Sequence, residues 1–159
     1  MIFHFSIAAD DPERSARFLA ELWGGRAYPF PPVAKGSWVA MAGDDRGSTV
    51  EIYPRGTEAH LGEGETMVRD LTGTPAREGA FHAAIATSLS IEEVKAVAAR
   101  YETVAKVCNR GAFQVIELWI DGCQMLEMLT PDMQAQYLRA AKFDAWEAYL
   151  GAAGAGSSG

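Results

Sequence analysis

The sequence predicts an α+β fold made of two copies of one unit, in which a strand is followed by a helix and then by three strands. Three observations lead to this prediction. Short segments of alternating apolar residues begin at Phe3 and again at Phe81. A helix-start pattern follows each of them. Matching motifs in the two halves are separated by nearly the same number of residues, and 159 residues are enough for two small units around a shared core.

The first unit begins with a strand at residues 3–8, where bulky apolar residues alternate with small or polar ones. Asp11 followed by Pro12 is a typical helix start. Apolar residues at helical spacing, ended by Gly24, predict a helix over residues 12–23. Three strands are predicted next, at residues 26–30, 37–42 and 48–54.

The second unit begins with a strand at residues 81–86, which alternates in the same way. Ser90 and Glu93 have the spacing of a capping box and predict that a helix starts there. Asp121-Gly122 predicts a two-residue hairpin turn between the last two strands. The three predicted strands cover residues 103–107, 113–120 and 123–129.

An internal duplication accounts for the repeated order of elements. Phe3-His4 and Ile7-Ala8 recur as Phe81-His82 and Ile85-Ala86, at an offset of 78 residues. Val50-Glu51-Ile52 corresponds to Leu126-Glu127-Met128, at an offset of 76 residues. Because two separate pairs of motifs give nearly one offset, we interpret the chain as a repeat of one structural unit.

The duplication divides the chain into segments. Residues 1–54 form the first module and residues 81–130 the second. The polar stretch 55–80 is longer than most ordered connections and is predicted to be a linker or a lid. Apolar residues at helical spacing predict a C-terminal helix at residues 131–150. The Gly- and Ala-rich residues 151–159 are predicted to be a flexible tail.

Net charge and composition limit the classes of binding partner that we expect. The chain has 14 basic and 21 acidic residues, a formal net charge of −7. This charge repels nucleic-acid phosphates and anionic lipid. No apolar run approaches the roughly 20 residues of a membrane span, and the N-terminus lacks a secretion-signal pattern. We therefore expect a cytoplasmic protein that binds a small molecule, with neither nucleic acid nor membrane as a partner.

Strand alternation selects four residues as a candidate site. His4 shares its face with Ser6 and Ala8, and His82 occupies the same position in the second module. Glu51 and Glu127 are likewise equivalent. If the two sheets curl around a pseudo-twofold axis, two imidazoles and two carboxylates converge, a donor set that suits Zn, Ni, Co, Mn or Fe(II). Without a cation, the two carboxylates would repel one another.

With these motifs the chain resembles the vicinal oxygen chelate superfamily, which includes glyoxalase I, bleomycin-resistance and fosfomycin-resistance proteins, and extradiol dioxygenases. The resemblance covers about residues 2–130. It implies two βαβββ modules that form a cup-shaped eight-stranded mixed sheet, with metal ligands on the first and fourth strands of each. The four residues that fall on those positions, His4, Glu51, His82 and Glu127, form a set similar to that of glyoxalase I.

The resemblance implies a metal-dependent isomerase or lyase that acts on a substrate with vicinal oxygens through an enediolate-type intermediate. Glu127 is then the candidate base and Glu51 its symmetric catalytic counterpart. Tyr53 and Trp38 are predicted to line the cup and contact the substrate. A homodimer is expected, with the cup built within one chain or by exchange of modules between two.

Two alternatives remain open. A metal-free cup would hold a drug or metabolite, as bleomycin-resistance proteins do. An Fe(II) extradiol dioxygenase would use His4, His82 and Glu127, but Glu51 at the fourth position argues against it. Glu117 is expected to stay outside the site, because a two-residue turn at Asp121-Gly122 would direct it to the opposite face from Glu127.

Overall fold

The two predicted βαβββ modules are both present, and the fold is α+β. The computed structural model describes residues 3–30, 35–60, 67–70, 77, 80–145 and 147–148, with backbone only for 58–60 and 67–70. The first module consists of β1 (His4–Ala9), α1 (Pro12–Trp23), β2 (Arg26–Pro29), β3 (Trp38–Met41) and β4 (Thr49–Pro54). A hairpin of β5 (Thr57–His60) and β6 (Met67–Asp70) follows. The second module consists of β7 (Ala84–Ala86), α2 (Ile91–Arg100), β8 (Val104–Asn109), β9 (Gln114–Ile120) and β10 (Gln124–Leu129), and α3 (Pro131–Ala140) comes after it.

The eight module strands form two mixed four-stranded sheets with the same topology. Their orders are β1-β4-β3-β2 and β7-β10-β9-β8. In each sheet the first strand runs parallel to the fourth, and the other pairs are antiparallel. The first strand of each module is therefore an edge strand.

The helix boundaries follow from capping, as the sequence predicts. Asp11 accepts a hydrogen bond from the Arg14 amide at 3.0 Å, and Gly24 ends α1 with a left-handed φ of 65°. A side chain at Gly25 would collide with the carbonyl oxygen of Met41, so the connection from α1 to the sheet requires glycine there. The capping box of Ser90 and Glu93 is present at the start of α2.

Each helix covers one face of its own sheet. Phe18, Leu19 and Leu22 of α1 are fully buried, as are Val50 and Ile52 of β4. The equivalent core of the second module is formed by residues of α2, β9 and β10: Val94, Val97, Ile116, Leu118, Leu126 and Met128. Because side chains alternate along a strand, burial of these residues leaves the next set in each strand on the open face.

Some boundaries differ from the sequence prediction. The predicted linker contains the β5–β6 hairpin. Strand β7 begins at Ala84, so His82 lies before the strand and not within it. Helix α3 ends at Ala140, and of the predicted helix and tail, residues 146 and 149–159 lie outside the described part of the chain. No described helix has the length and apolarity that a membrane crossing requires.

An ion-pair network joins the end of the first module to the second. The Arg55 side chain, only 8% exposed, contacts Asp10 at 2.5 Å and Asp121 at 2.8 Å. The backbone amide of Asp10 donates to the Asp121 carboxylate at 2.6 Å, and Arg77 also contacts Asp10. Since Asp121 lies in the β9–β10 turn, this network fixes β1 against the second sheet.

Replacing Arg55 with Met should lower the free energy of unfolding by about 2 kcal/mol, because two carboxylates lose their nearly buried cationic partner. Urea denaturation at neutral pH measures the loss. Arg46→Met, at an exposed position in the β3–β4 connection, is the matched control and should change stability little. Equal stability of the two variants would contradict the assigned role of Arg55.

The same network predicts acid sensitivity. Hydrogen bonding to Arg55 is the main cause that lowers the pKa of Asp10 below its usual value, and Arg77 adds to it. A carboxyl with a depressed folded-state pKa stabilises the fold above its unfolded pKa of about 3.9, and this contribution is lost as pH falls through the folded value. Unfolding measured from pH 6 down to about pH 3 should therefore show a smaller decline in Asp10→Asn than in wild type. Parallel curves would refute the contribution of Asp10.

Candidate functional site

The open face of the first module presents Glu51 with two hydroxyl partners. Register pairs Ser6 of β1 with Glu51 of β4, and the Ser6 hydroxyl donates to Glu51 Oε2 at 3.1 Å. The Tyr53 hydroxyl donates to the same oxygen at 2.5 Å. His4 lies two residues before Ser6, on the same face, and is exposed. The structure thus brings Tyr53 to Glu51, in the region expected to line the cup.

Tyr53 has an altered acidity because of this environment. Burial, followed by the hydrogen bond to Glu51, raises the pKa of Tyr53 to about 12. The phenol therefore stays protonated at neutral pH and acts as a hydrogen-bond donor to the carboxylate.

Trp38 lies on the other face of the first sheet, which corrects the prediction that it lines the cup with Tyr53. Trp38 pairs with Ile52, whereas Val39 pairs with Glu51. The Arg17 guanidinium of α1 lies 5.2 Å from the centre of the Trp38 ring, so this side chain packs beneath the helix. The register of β3 against β4, which pairs Trp38 with Ile52, decides the face.

The open face of the second module contains an arginine between two carboxylates. Glu127 is buried, with 8% of its surface exposed. Arg110 donates to Glu127 Oε1 through Nε at 3.2 Å and through Nη2 at 3.0 Å. The same Nη2 donates to Glu117 Oε1 at 2.6 Å. One guanidinium therefore serves both carboxylates.

The position of Glu117 differs from the sequence expectation. Glu127 pairs directly with Glu117, and Met128 with Ile116. The β9–β10 connection contains three residues between the paired Ile120 and Gln124, with positive φ at Asp121 and Gly122. This extra residue shifts the register by one relative to a two-residue turn and brings Glu117 to the same face as Glu127.

Two further groups hold Glu117 in place. The Trp119 indole donates to Glu117 Oε2 at 2.9 Å. Hydrogen bonds from Arg110, then Trp119, lower the pKa of Glu117, and Cys108 contributes in the same direction. Burial and the neighbouring Glu117 raise the pKa of the Cys108 thiol. The cysteine is therefore a neutral thiol at neutral pH.

His82 lies at a cavity between the first strands of the two modules. The cavity measures about 540 Å³. Its wall consists of Phe3, Phe5, Trp23, Ala42, Asp44, Ser48, Thr49, Tyr137 and residues 81–86. Ala84 and Ala86 are exposed, as expected for a face of small residues beside His82. Ala84 pairs with Glu127 in register, which places the cavity beside the strand that carries this carboxylate.

The described residues do not fit a divalent metal as the sequence suggested. Among the parts of the chain that the structure describes, no group of three or more His, Cys, Asp or Glu side chains is arranged to hold an ion. This includes His4, Glu51, His82 and Glu127, all of which are described. Glu127 binds a guanidinium, and Glu51 binds two hydroxyls. No catalytic step is therefore assigned to a metal.

Arg110 is the principal residue that the sequence analysis missed. The predicted strand ended at Val107, whereas β8 continues to Asn109. With the longer strand, alternation through Lys106 and Cys108 points to Arg110 on the face of Glu117. The alternation was present in the sequence, but a single arginine before Gly111 has the appearance of a turn residue.

Comparisons with known proteins agree with this architecture. The trypanothione-dependent glyoxalase I of Leishmania major matches with a TM-score of 0.51 and 16% identity, over 88% of this chain and 93% of that one. Fosfomycin resistance protein FosX from Mesorhizobium loti matches with a TM-score of 0.53 and 15% identity, over 86% and 96%. FosX from Listeria monocytogenes, complexed with Mn(II) and sulfate, matches with a TM-score of 0.54 and 12% identity, over 87% and 96%.

The chain has the fold of the vicinal oxygen chelate superfamily. The resemblance inferred from the repeated motifs is confirmed at this level. No protein-family model matches the sequence, and a search of curated proteins finds no significant match. Because identities of this size establish fold alone, the activity has to be inferred from the site itself.

The Tyr53–Glu51 pair can be tested by titration. Glu51→Gln should lower the pKa of Tyr53 from about 12, because the anionic acceptor is removed. The value should remain above that of free tyrosine, since burial is the larger cause. Ser6→Ala is a control of opposite sign, because the Ser6 hydroxyl lowers this pKa. Absorbance titration of phenolate, with Tyr53→Phe to assign the step, measures both; no change in Glu51→Gln would contradict the pairing.

Proposed function

We propose that the protein is a small-molecule-binding protein of the vicinal oxygen chelate fold, and that the cavity between β1 and β7 holds the ligand without a metal. The main observation in support is the cavity of about 540 Å³, a volume within the ordinary range of ligand pockets. The metal-free alternative that the sequence left open placed a drug or metabolite in the cup. The proposed site differs in position, because Phe5 in its wall lies on the opposite face of β1 from His4 and Ser6.

The wall of the cavity favours a planar, largely apolar ligand. The rings of Phe5 and Phe81 are 5.8 Å apart, and Phe3 and Phe81 are each about half exposed. A flat ligand that covers exposed aromatic side chains removes apolar surface from water, which makes binding favourable. His82 supplies a polar group to this wall: its Nδ1 lies 3.3 Å from the Ala80 carbonyl oxygen, which leaves Nε2 for the ligand.

A glyoxalase-like isomerase or lyase is the second candidate. The fold shared with glyoxalase I supports it, and so does the equivalent placement of His4 with Glu51 and of His82 with Glu127. The pairing of Arg110 with Glu127 weighs against it, because the proposed base is already held by a guanidinium. The same pairing weighs against an extradiol dioxygenase, which would also need Glu127.

Assembly and location belong to the proposal as well. We propose a homodimer in the cytoplasm. Two pairs of exposed apolar side chains, Tyr28 and Met41 on β2 and β3 and Val104 and Val107 on β8, are the surfaces that a second copy would cover. Molar mass from light scattering tests this assembly; a monomer at micromolar concentration would contradict it.

Filling the cavity should abolish ligand binding. Ala84→Leu replaces a methyl with an isobutyl side chain at an exposed position in the wall and should weaken binding of anilinonaphthalene sulfonate, an aromatic probe, at least ~tenfold. Probe fluorescence and quenching of Trp23 measure the affinity. Ala96→Leu, on the exposed face of α2, is the matched control and should bind normally. Equal binding by both variants would show that the probe binds elsewhere.

Metal content separates the two candidate functions. Protein purified without chelator should contain far less than one equivalent of divalent metal, because the carboxylate of Glu127 is already neutralised by Arg110. Elemental analysis measures this directly. A stoichiometric amount of metal, together with isomerisation of a thiol adduct of a 2-oxoaldehyde that a chelator stops, would favour the glyoxalase-like candidate instead.

A further inference from the structure

We infer that the guanidinium of Arg110 takes the place of a divalent cation between Glu117 and Glu127, and that this arginine prevents the second module from binding a metal. The inference goes beyond ligand binding at the cavity, because it concerns a separate cluster of charges. It rests on three observations: the position of the two carboxylates, their burial, and the oxygens that the guanidinium occupies.

The two carboxylates are direct cross-strand partners. Glu117 and Glu127 are paired in register on β9 and β10, and their side chains lie on the same face. Like charges placed directly opposite on adjacent strands repel and destabilise a sheet. Such a pair persists in its charged form only with a cation between the two members.

Burial of the two carboxylates strengthens the need for a cation between them. The side chains of Glu117 and Glu127 are 14% and 10% exposed, so water screens their repulsion poorly. The other groups that face the pair are the Trp119 indole, the Cys108 thiol and Lys106, which pairs with Glu117 at an exposed position on β8. Among the described residues, Arg110 is the cation in direct contact with both carboxylates.

The guanidinium of Arg110 donates hydrogen bonds to one oxygen of each carboxylate, in the place where a bridging ion would bind. Nη2 reaches Oε1 of Glu117 at 2.6 Å and Oε1 of Glu127 at 3.0 Å. The second oxygen of Glu117 accepts from the Trp119 indole. A metal that bridged the two carboxylates would have to lie where the guanidinium now lies, so guanidinium and ion exclude one another. Carboxylate oxygens and water are a suitable environment for Mn²⁺, which makes it a good probe.

The experiment compares Mn²⁺ binding in wild type and in Arg110→Gln, by electron paramagnetic resonance of free Mn²⁺ and by thermal unfolding. Wild type should bind Mn²⁺ weakly and show no stabilisation. Arg110→Gln should unfold at a lower temperature, bind Mn²⁺ at least ~tenfold more tightly, and regain stability when Mn²⁺ is added. Arg110→Lys keeps the charge and should behave like wild type toward Mn²⁺.

The double variant Arg110→Gln with Glu127→Gln removes one carboxylate and should lose the Mn²⁺ response. Tight binding by wild type, or a response of Arg110→Gln that persists in the double variant, would overturn the inference. If Arg110→Gln does not fold alone, refolding in the presence of Mn²⁺ becomes the readout, and failure of Mn²⁺ to rescue folding would overturn it equally. Ligand binding at the cavity is measured separately with anilinonaphthalene sulfonate, so the two proposals can fail independently.

Discussion

Burial of one face of each sheet beneath a helix is the constraint on which the rest of the structure depends. Once Val50 and Ile52 pack under α1, and Leu126 and Met128 are buried in the second module, the alternation of a strand leaves Glu51 and Glu127 no position except the open face. The apolar core therefore also positions the polar groups. A one-residue change of register would exchange the two sets, and the core would lose more free energy than any polar contact could return.

The two modules stabilise the glutamate side chain on their open face in different ways. In the first, Glu51 accepts hydrogen bonds from the hydroxyls of Ser6 and Tyr53, with no cation in direct contact among the described residues. In the second, Glu127 faces another carboxylate and needs Arg110. Because a buried ion pair costs desolvation that good geometry has to offset, the fork of the guanidinium is better suited to this place than a lysine ammonium. The duplicated modules share their topology but differ in the chemistry of their open faces.

The junction between the modules connects fold and ligand site. The Arg55 network holds one end of β1 against the β9–β10 turn. Two hydrogen bonds join α1 to the second module. The Trp23 indole donates to the Ala86 carbonyl oxygen at 3.0 Å, and the Thr87 hydroxyl donates to the Leu22 carbonyl oxygen at 2.5 Å. The cavity lies among these contacts, between two edge strands that share no ladder of hydrogen bonds among the described residues. A ligand there would touch both modules, so its binding should be sensitive to how they are joined.

Four features could be predicted from the amino-acid sequence because they depend on local periodicity and capping. They are the duplicated βαβββ order, the start and end of α1, the capping box of α2 and the buried residues of each helix. The sequence also placed His4, Glu51 and Tyr53 on one face, since alternation within a strand is local. The partners of these groups could not be predicted in this way, because they depend on how the strands pair. The third residue in the β9–β10 turn brought Glu117 opposite Glu127, and the extension of β8 brought Arg110 between them. The register of β3 against β4 placed Trp38 beneath α1. Register and distance between strands depend on contacts far apart in the chain, which no pattern within one strand contains.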